Sequence, residues 1–231
     1  MMNNVMNSKR SKCLRYLLLA SLGFAFVPAA SAQSPEAVQQ RIAAVKQTLQ
    51  TSAQALHQFE WIETTTVTIK GEQKAQLMKK CYYGMDGKVQ KVPVLPPGGS
   101  NKNEKLQDFV ESAIGLLQKY VPPDPSLIQR AVDHGKISIQ VLDPGKAAAL
   151  VFSDYILSGD KLSIALDLTK NTLTSCSVST YLGEPKDSVT LNFGFGSLMD
   201  GTTYPANITL TAPSKNLQIA VENSGYRKAA Q

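Results

Sequence analysis

The sequence predicts an α+β protein: a curved antiparallel β half-barrel of about ten strands, capped by one long N-terminal helix and two central helices. Three observations support this prediction. Apolar residues recur with helical spacing over one long segment and two shorter ones. Nearly all remaining segments are β-forming and end at Gly, Pro, Asn or Asp turns. The composition, 43% apolar and 18% charged, is typical of a globular protein.

The N-terminal 1–32 segment has the layout of a secretory signal peptide. A basic stretch without acidic residues contains Lys9, Arg10, Lys12 and Arg15. An apolar run over 17–27 follows, and a small-x-small cleavage pattern ends at Ala32. Because the run is too short to span a bilayer comfortably, we predict cleavage after Ala32 and no membrane span in the mature chain. Residues 33–231 are then a single domain of a periplasmic or secreted protein.

The apparent basicity of the chain belongs mostly to this leader. The chain has 24 basic and 18 acidic residues and a formal charge of +6. Four of the basic residues lie in 1–32, so the remainder carries a charge of only +2. Such a small surplus does not indicate a surface for a phosphate backbone, and we predict no nucleic-acid partner.

The long N-terminal helix is predicted to begin at Pro35. Ser34 suits the N-cap position, and Pro35 suits the first helical position. Apolar residues then recur at intervals of three and four, namely Val38, Ile42, Val45, Leu49, Ala53 and Leu56. This stripe predicts an amphipathic helix of about 24 residues with one face against the core.

Three strands and two helices are predicted for the middle of the chain. The strands lie at 59–69, 74–84 and 88–95. The segment 96–103 is rich in Pro, Gly and Asn, and we predict a flexible connection there. Helical spacing predicts a helix of about 17 residues from Leu106 that stops before Pro122, and a short helix from Asp124 to Asp133.

After Gly135, every segment is typical of antiparallel β-structure. The strands are centred on 137–141, 147–155, 162–168, 176–182, 189–195, 208–210 and 217–226. Turns separate them at intervals of about 10 to 14 residues, as in a meander or barrel. Such strands form one curved sheet with a single apolar face. The helices must cover that face because their own apolar stripes need burial.

The apolar residues of the sheet and of the second helix are the candidate ligand-binding set. On the concave face of the sheet they are Trp61, Val67, Ile69, Ile164, Leu166, Val178, Leu191, Phe193 and Ile219. From the helix, the covering residues are Phe109, Ile114 and Leu117. Two interpretations stay open: an ordinary filled core, or a cavity for an acyl chain or an apolar peptide segment.

Two cysteines remain after cleavage, and their state is left open by the sequence. Cys81 and Cys176 both lie in predicted strands. An exported chain reaches an oxidising compartment, where the two cysteines could form one disulfide. Buried free thiols are equally common in strands. No spacing of Cys or His residues indicates zinc binding or thiol redox chemistry.

The sequence offers no catalytic constellation. Its two histidines, His57 and His134, lie at predicted helix ends, where a polar structural role is usual. No metalloprotease, nucleophile-elbow or phosphate-loop motif occurs. We therefore predict that the protein is not an enzyme, with no metal and no cofactor.

The C-terminal strands carry a resemblance to a known family. The relevant segments are Val189 to Phe195, Met199-Asp200-Gly201, Tyr204 to Ile208, and Leu217 to Tyr226. This order of a strand, an Asp-Gly turn, a proline and two strands is similar to the ending of the LolA-like superfamily. That superfamily includes periplasmic lipoprotein carriers and the lipid-facing domain of the RseB/MucB regulators. The resemblance implies an unclosed half-barrel whose helices enclose an apolar cavity.

One family feature has no counterpart. The lipoprotein carriers hold their helical lid with an arginine in an early strand, whereas this chain has no arginine between Arg41 and Arg130. The resemblance therefore does not imply dedicated lipoprotein shuttling. A fold can persist without a particular task of its relatives.

Two functional hypotheses follow. The first is an exported protein that binds or carries an apolar ligand, which is a lipid, an acyl chain or a lipidated protein. The second is a non-enzymatic envelope interaction or regulatory module with a filled core. In the second case a protein partner would bind the sheet edges or the 96–103 loop.

Overall fold

The computed structural model describes residues 35–94 and 104–229. The predicted signal peptide and the 96–103 loop lie outside the described residues. The helices are α1 (Pro35–Leu56), α2 (Glu104–Tyr120) and α3 (Pro125–Asp133), with a 3-10 turn at Pro213–Lys215. The strands are β1 (Phe59–Ile69), β2 (Glu72–Tyr83), β3 (Val89–Pro93), β4 (Ile137–Asp143), β5 (Ala147–Ser153), β6 (Lys161–Asp167), β7 (Thr172–Tyr181), β8 (Ser188–Ser197), β9 (Thr203–Ala212) and β10 (Leu217–Lys228).

The described strands form one ten-stranded antiparallel sheet in the order β3-β2-β1-β10-β9-β8-β7-β6-β5-β4. Neighbouring strands are consecutive in sequence except at the β1–β10 pair, where the first and last strands meet. The sheet is open, with β3 and β4 as its edges. The predicted α+β fold, a curved half-barrel capped by helices, is confirmed.

The core lies on the concave face of this sheet. Strand alternation places a continuous band of buried, mostly apolar residues across seven neighbouring strands. From β5 to β1 this band contains Leu150, Ile164, Cys176, Phe193, Ile208, Val221 and Thr65. Residues that lie directly opposite each other on neighbouring strands point to the same face of the sheet. The register of these pairs therefore joins the seven residues into one buried surface.

All three helices contribute buried residues to the same core. On α1 the residues Ile42, Val45 and Leu49 repeat at helical spacing and are buried. The residues Ile128 and Ala131 do the same on α3. Asp124 caps α3 by accepting a 2.7 Å hydrogen bond from the Ser126 amide, with proline at the first helical position. Within 35–94 and 104–229, no helix has the length and apolar character needed to cross a bilayer.

One strand is longer than predicted. The alternation of β9 was evident only near Ile208, yet the strand begins at Thr203 and includes Pro205. Pro205 pairs with Phe195 next to a bulge between Gly194 and Phe195, a position where a missing amide donor is tolerated. The Tyr204 ring packs over Gly196 so closely that a Cβ there would come within 2.7 Å of it. Glycine at this position therefore leaves the Tyr204 ring room to pack over the strand.

Candidate ligand cavity

A cavity of about 330 Å³ lies between the C-terminal half of α2 and the β3-β2-β1-β10-β9 part of the concave face. Seventeen residues line it: Leu56, Trp61, Glu63, Thr65, Tyr83, Val89, Lys91, Ile114, Leu117, Gln118, Val121, Pro122, Pro205, Ile208, Val221, Asn223 and Tyr226. Its volume lies at the lower end of the roughly 300–1,000 Å³ range of small-molecule pockets.

Apolar side chains from α2 and from the sheet form most of the wall. On α2, Ile114 and Leu117 share one face of the helix, and Val121 follows one turn later. Ile208 of β9 and Val221 of β10 line the cavity from the sheet and are directly opposite in the β9–β10 register. This part of the wall can contact a ligand only through dispersion and the hydrophobic effect.

An aromatic cluster forms a second part of the wall. The Trp61 ring stacks on Tyr226 with centroids 5.4 Å apart, and it meets Tyr83 at 5.8 Å. The Trp61 Nε1 donates a 3.1 Å hydrogen bond to Asn223 Oδ1. In turn, Asn223 Nδ2 donates at 2.9 Å to the Pro205 carbonyl. These two bonds fix the orientation of the indole, so the cluster is a preformed surface.

The two cavity tyrosines are uncharged at neutral pH, and burial extends their neutral form to higher pH. Desolvation raises the pKa of Tyr83 and, to a greater extent, that of Tyr226 above the usual range for a phenol. The neighbouring Tyr204 ring, 4.3 Å from Tyr226, packs against the outer side of this cluster. The aromatic wall therefore contributes apolar surface and neutral hydroxyl groups.

The only charged residues on the wall, among those that the structure describes, are Glu63 of β1 and Lys91 of β3. Lys91 Nζ donates to Glu63 Oε2 at 2.6 Å. The Glu63 side chain is 12% exposed, and the Lys91 side chain is 28% exposed. The cavity is thus mostly apolar, with one ion pair at the side nearest the sheet edge.

The structure decides between the alternatives for the cysteines. Cys81 lies on β2 and Cys176 on β7, with four strands between them, and both are buried free thiols. The disulfide considered from the sequence is therefore not formed. Burial, followed by the Glu63 carboxylate, raises the pKa of Cys81 to about 11. Burial also raises the pKa of Cys176 far above its usual range.

The two thiols are expected to resist alkylation in the native protein. Since only the thiolate is nucleophilic, labelling of Cys81 and Cys176 at mildly alkaline pH should be slower by about a hundredfold than in denaturant. Mass spectrometry of the labelled peptides measures both sites separately. Peptides that stay unlabelled in denaturant until a reductant is added would contradict the free-thiol arrangement.

A buried hydrogen-bond network holds the end of α2 above the cavity. Asp160, which is 1% exposed, accepts hydrogen bonds from the Tyr120 hydroxyl and from the amides of Tyr155, Ile156 and Leu157. Thr180 of β7 lies 3.0 Å from the same tyrosine hydroxyl, which is already donating, so the threonine donates to it. Tyr120 is the last residue of α2 and directly precedes Val121 of the cavity wall.

The two histidines have structural partners. His57 follows α1 and stacks on Tyr83 at 4.1 Å, behind the aromatic wall. His134 ends α3, and its Nδ1 lies 2.7 Å from the Arg130 carbonyl oxygen. Among the residues that the structure describes, no three His, Cys, Asp or Glu side chains are grouped as metal ligands would be.

The structure divides the twelve predicted ligand-binding residues into two groups. Trp61, Ile114 and Leu117 line the cavity. The others pack in or against the core and are absent from the cavity wall: Val67, Ile69, Phe109, Ile164, Leu166, Val178, Leu191, Phe193 and Ile219. The concave face is therefore not uniformly packed. The face is filled over β6–β8 and hollow beside β1 and β10.

Several wall residues were not predicted. Tyr83 ends β2, and Asn223 and Tyr226 lie near the end of β10, far from β1 in sequence. The β1–β2 pairing brings Tyr83 to Trp61, and only the β1–β10 pairing brings Asn223 and Tyr226 there. Glu63 did have a signal, because strand alternation places it on the same face as Trp61 and Thr65.

Among the solved structures that resemble this chain, two illustrate how distant the likeness is in sequence. A DUF1329 family protein from Desulfovibrio piger matches with 11% identity and a TM-score of 0.47, over 84% of this chain and 93% of that one. A LolA superfamily protein from Nitrosomonas europaea matches with 10% identity and a TM-score of 0.39, over 80% and 94%. These likenesses concern the fold alone. No family model and no curated protein matches the chain.

Proposed function

We propose that this chain is an exported, non-catalytic protein that binds an apolar or amphiphilic ligand, such as a lipid or an acyl chain, in the cavity beneath α2. The observation that carries the proposal is the cavity itself. A partly open gap of about 330 Å³ with mostly apolar walls leaves apolar side chains without packing partners and in contact with water, which is unfavourable. Binding of an apolar ligand would recover the lost contacts.

The preformed walls also support this function. Trp61 is fixed by Asn223, and the end of α2 is fixed through Tyr120 and Asp160. A rigid site loses little conformational entropy when a ligand enters. A smaller pocket of about 30 Å³ beneath α1 shares Leu56, Tyr83, Pro122 and Pro205 with the cavity and gives a ligand additional room.

Export and ligand binding can be tested on one sample. The full-length chain is expressed in a Gram-negative host and purified without detergent from the periplasmic fraction. We expect the intact mass to correspond to cleavage after Ala32, and we expect organic extraction to release an acyl-containing compound near one equivalent. A cleaved protein that yields no extractable ligand and binds no added fatty acid would contradict the binding proposal. An uncleaved cytoplasmic protein would contradict export.

A second candidate function is favoured by the sheet edges. Val92 and Val94 at β3, and Val141 and Leu142 of β4, are each about half exposed. Exposed apolar residues on an unpaired strand suit recognition by a partner's strand. Val141→Lys should then abolish recovery of an envelope protein partner while ligand content stays unchanged. Loss of ligand without any effect on a partner would favour the cavity.

A further inference from the structure

The position of Glu63 is unusual for a core-facing strand. The residues at alternate positions of β1 point to the concave face, and Trp61, Thr65, Val67 and Ile69 are all buried there. Glu63 occupies the same series with a side chain only 12% exposed. A carboxylate in such a position is costly unless a cation pairs with it. Apolar packing alone gives no reason for a charge at this place.

Two cations accompany this one carboxylate. Lys91 on the edge strand β3 forms the 2.6 Å ion pair, and Lys79 on β2 lies directly opposite Glu63 in the β1–β2 register. Directly opposite residues share a face of the sheet, with Cβ atoms about 5 Å apart. Lys79 is therefore placed within reach of Glu63 when Lys91 contacts another group. The local charge of these three residues is positive.

Lys91 is the member of this group that a ligand can reach. Lys91 lines the cavity, and its side chain is more exposed than that of Glu63. It lies on β3, the outermost strand on this side of the sheet. The α2 residues Ile114 and Leu117 line the same cavity with apolar side chains. One cavity thus presents an apolar wall and one accessible cation. This combination matches a molecule with an apolar tail and an anionic head.

Building on the proposed function, we propose that the ligand is an anionic amphiphile whose carboxylate or phosphate head pairs with Lys91 while its acyl tail lies against α2. In this arrangement Lys91 determines head-group specificity. Glu63 holds Lys91 in place in the empty protein and competes with the ligand for it. Removing the Glu63 charge should therefore strengthen the binding of anions.

Four amphiphiles with the same tail test this proposal: dodecanoic acid, dodecyl phosphate, dodecanol and dodecylamine. Their affinities for the full chain can be measured by the fluorescence of Trp61, which is the single tryptophan and lines the cavity. We expect at least one anion to bind about tenfold more tightly than dodecanol, as a charge-assisted hydrogen bond predicts, and dodecylamine to bind most weakly. Preference between the two anions distinguishes a fatty acid from a phosphate-headed lipid.

Variants then test whether Lys91 is responsible for the preference for anionic head groups. Lys91→Gln should reduce the anion affinity to that of dodecanol, and Glu63→Gln should increase it. Lys88→Gln is the matched control, because Lys88 lies on the same hairpin but is exposed and absent from the cavity wall. Since the comparison of head groups on the unaltered chain needs no variant, misfolding of one variant would not block the test.

The outcomes separate the two proposals. Equal affinities for all four head groups, or an anion preference that survives Lys91→Gln, would overturn the assignment of Lys91 while leaving an apolar site in place. Failure of all four amphiphiles to bind would overturn both the assignment and the proposed function.

Discussion

Asp160→Ala is expected to lower the free energy of unfolding by about 3–5 kcal/mol. The substitution removes the acceptor of three backbone amides and of the Tyr120 hydroxyl. These donors lie around Asp160, which is only 1% exposed. An unsatisfied buried donor costs about 1–3 kcal/mol. The total for the four donors is smaller than four times this value because water can partly enter the site. Chemical denaturation followed by circular dichroism measures the loss.

The control is Asp143→Ala. Asp143 ends β4, whereas Asp160 directly precedes β6. The Asp143 side chain is 52% exposed, and its ion pair with Lys146 is 3.4 Å long. Such surface pairs contribute at most about 1 kcal/mol, so stability should change little. A loss at Asp160 no greater than that at Asp143 would show that the network does not hold α2 in place.

Ile114→Trp is expected to abolish ligand binding while the protein stays folded. Ile114 lines the cavity from α2 and is only partly buried, so the larger ring can extend into the open space. An indole there occupies much of the room that an acyl tail needs, and affinity should fall at least about tenfold. Overpacking typically costs about 1–3 kcal/mol, and the open space beside Ile114 keeps the cost low. Calorimetric titration with dodecanoic acid gives the affinity.

Val110→Trp is the matched control for this substitution. Val110 lies one turn earlier on α2, is partly buried against the core, and does not line the cavity. The same added volume should therefore leave the affinity within about twofold. Equal losses from the two substitutions would indicate that α2 moves as a whole, and unchanged affinity in both would contradict the assigned site.

The sheet was largely predictable because its strands follow local rules. Alternation in β6 and β8, with Asp or Gly turns between strands, depends on side-chain period and turn chemistry alone. The apolar stripe of α2 was predictable in the same way, because it depends only on the spacing of residues within that helix. The start of β9 was missed because Pro205 is a strand breaker in most contexts, and only the bulge near Phe195 in the neighbouring strand accommodates it.

The cavity was less predictable because it depends on contacts between distant parts of the chain. Trp61 could be named from its strand, but its neighbours Asn223 and Tyr226 join it only through the β1–β10 pairing. A cavity is also defined by volume that side chains leave unfilled, which no single residue encodes. The inward charge of Glu63 was the one local sign that this part of the face is not ordinary core.

Photo-crosslinking would test most directly whether an acyl ligand binds in the cavity beneath α2. The full chain is mixed with a fatty acid that carries a diazirine at its tail end, irradiated and digested, and the labelled peptides are mapped by mass spectrometry. Binding in the cavity predicts label on α2 around Ile114 and Leu117 and on β10 around Val221. Label confined to the exposed edge residues Val92 and Leu142, with none on α2, would contradict the assignment of the cavity as the ligand site.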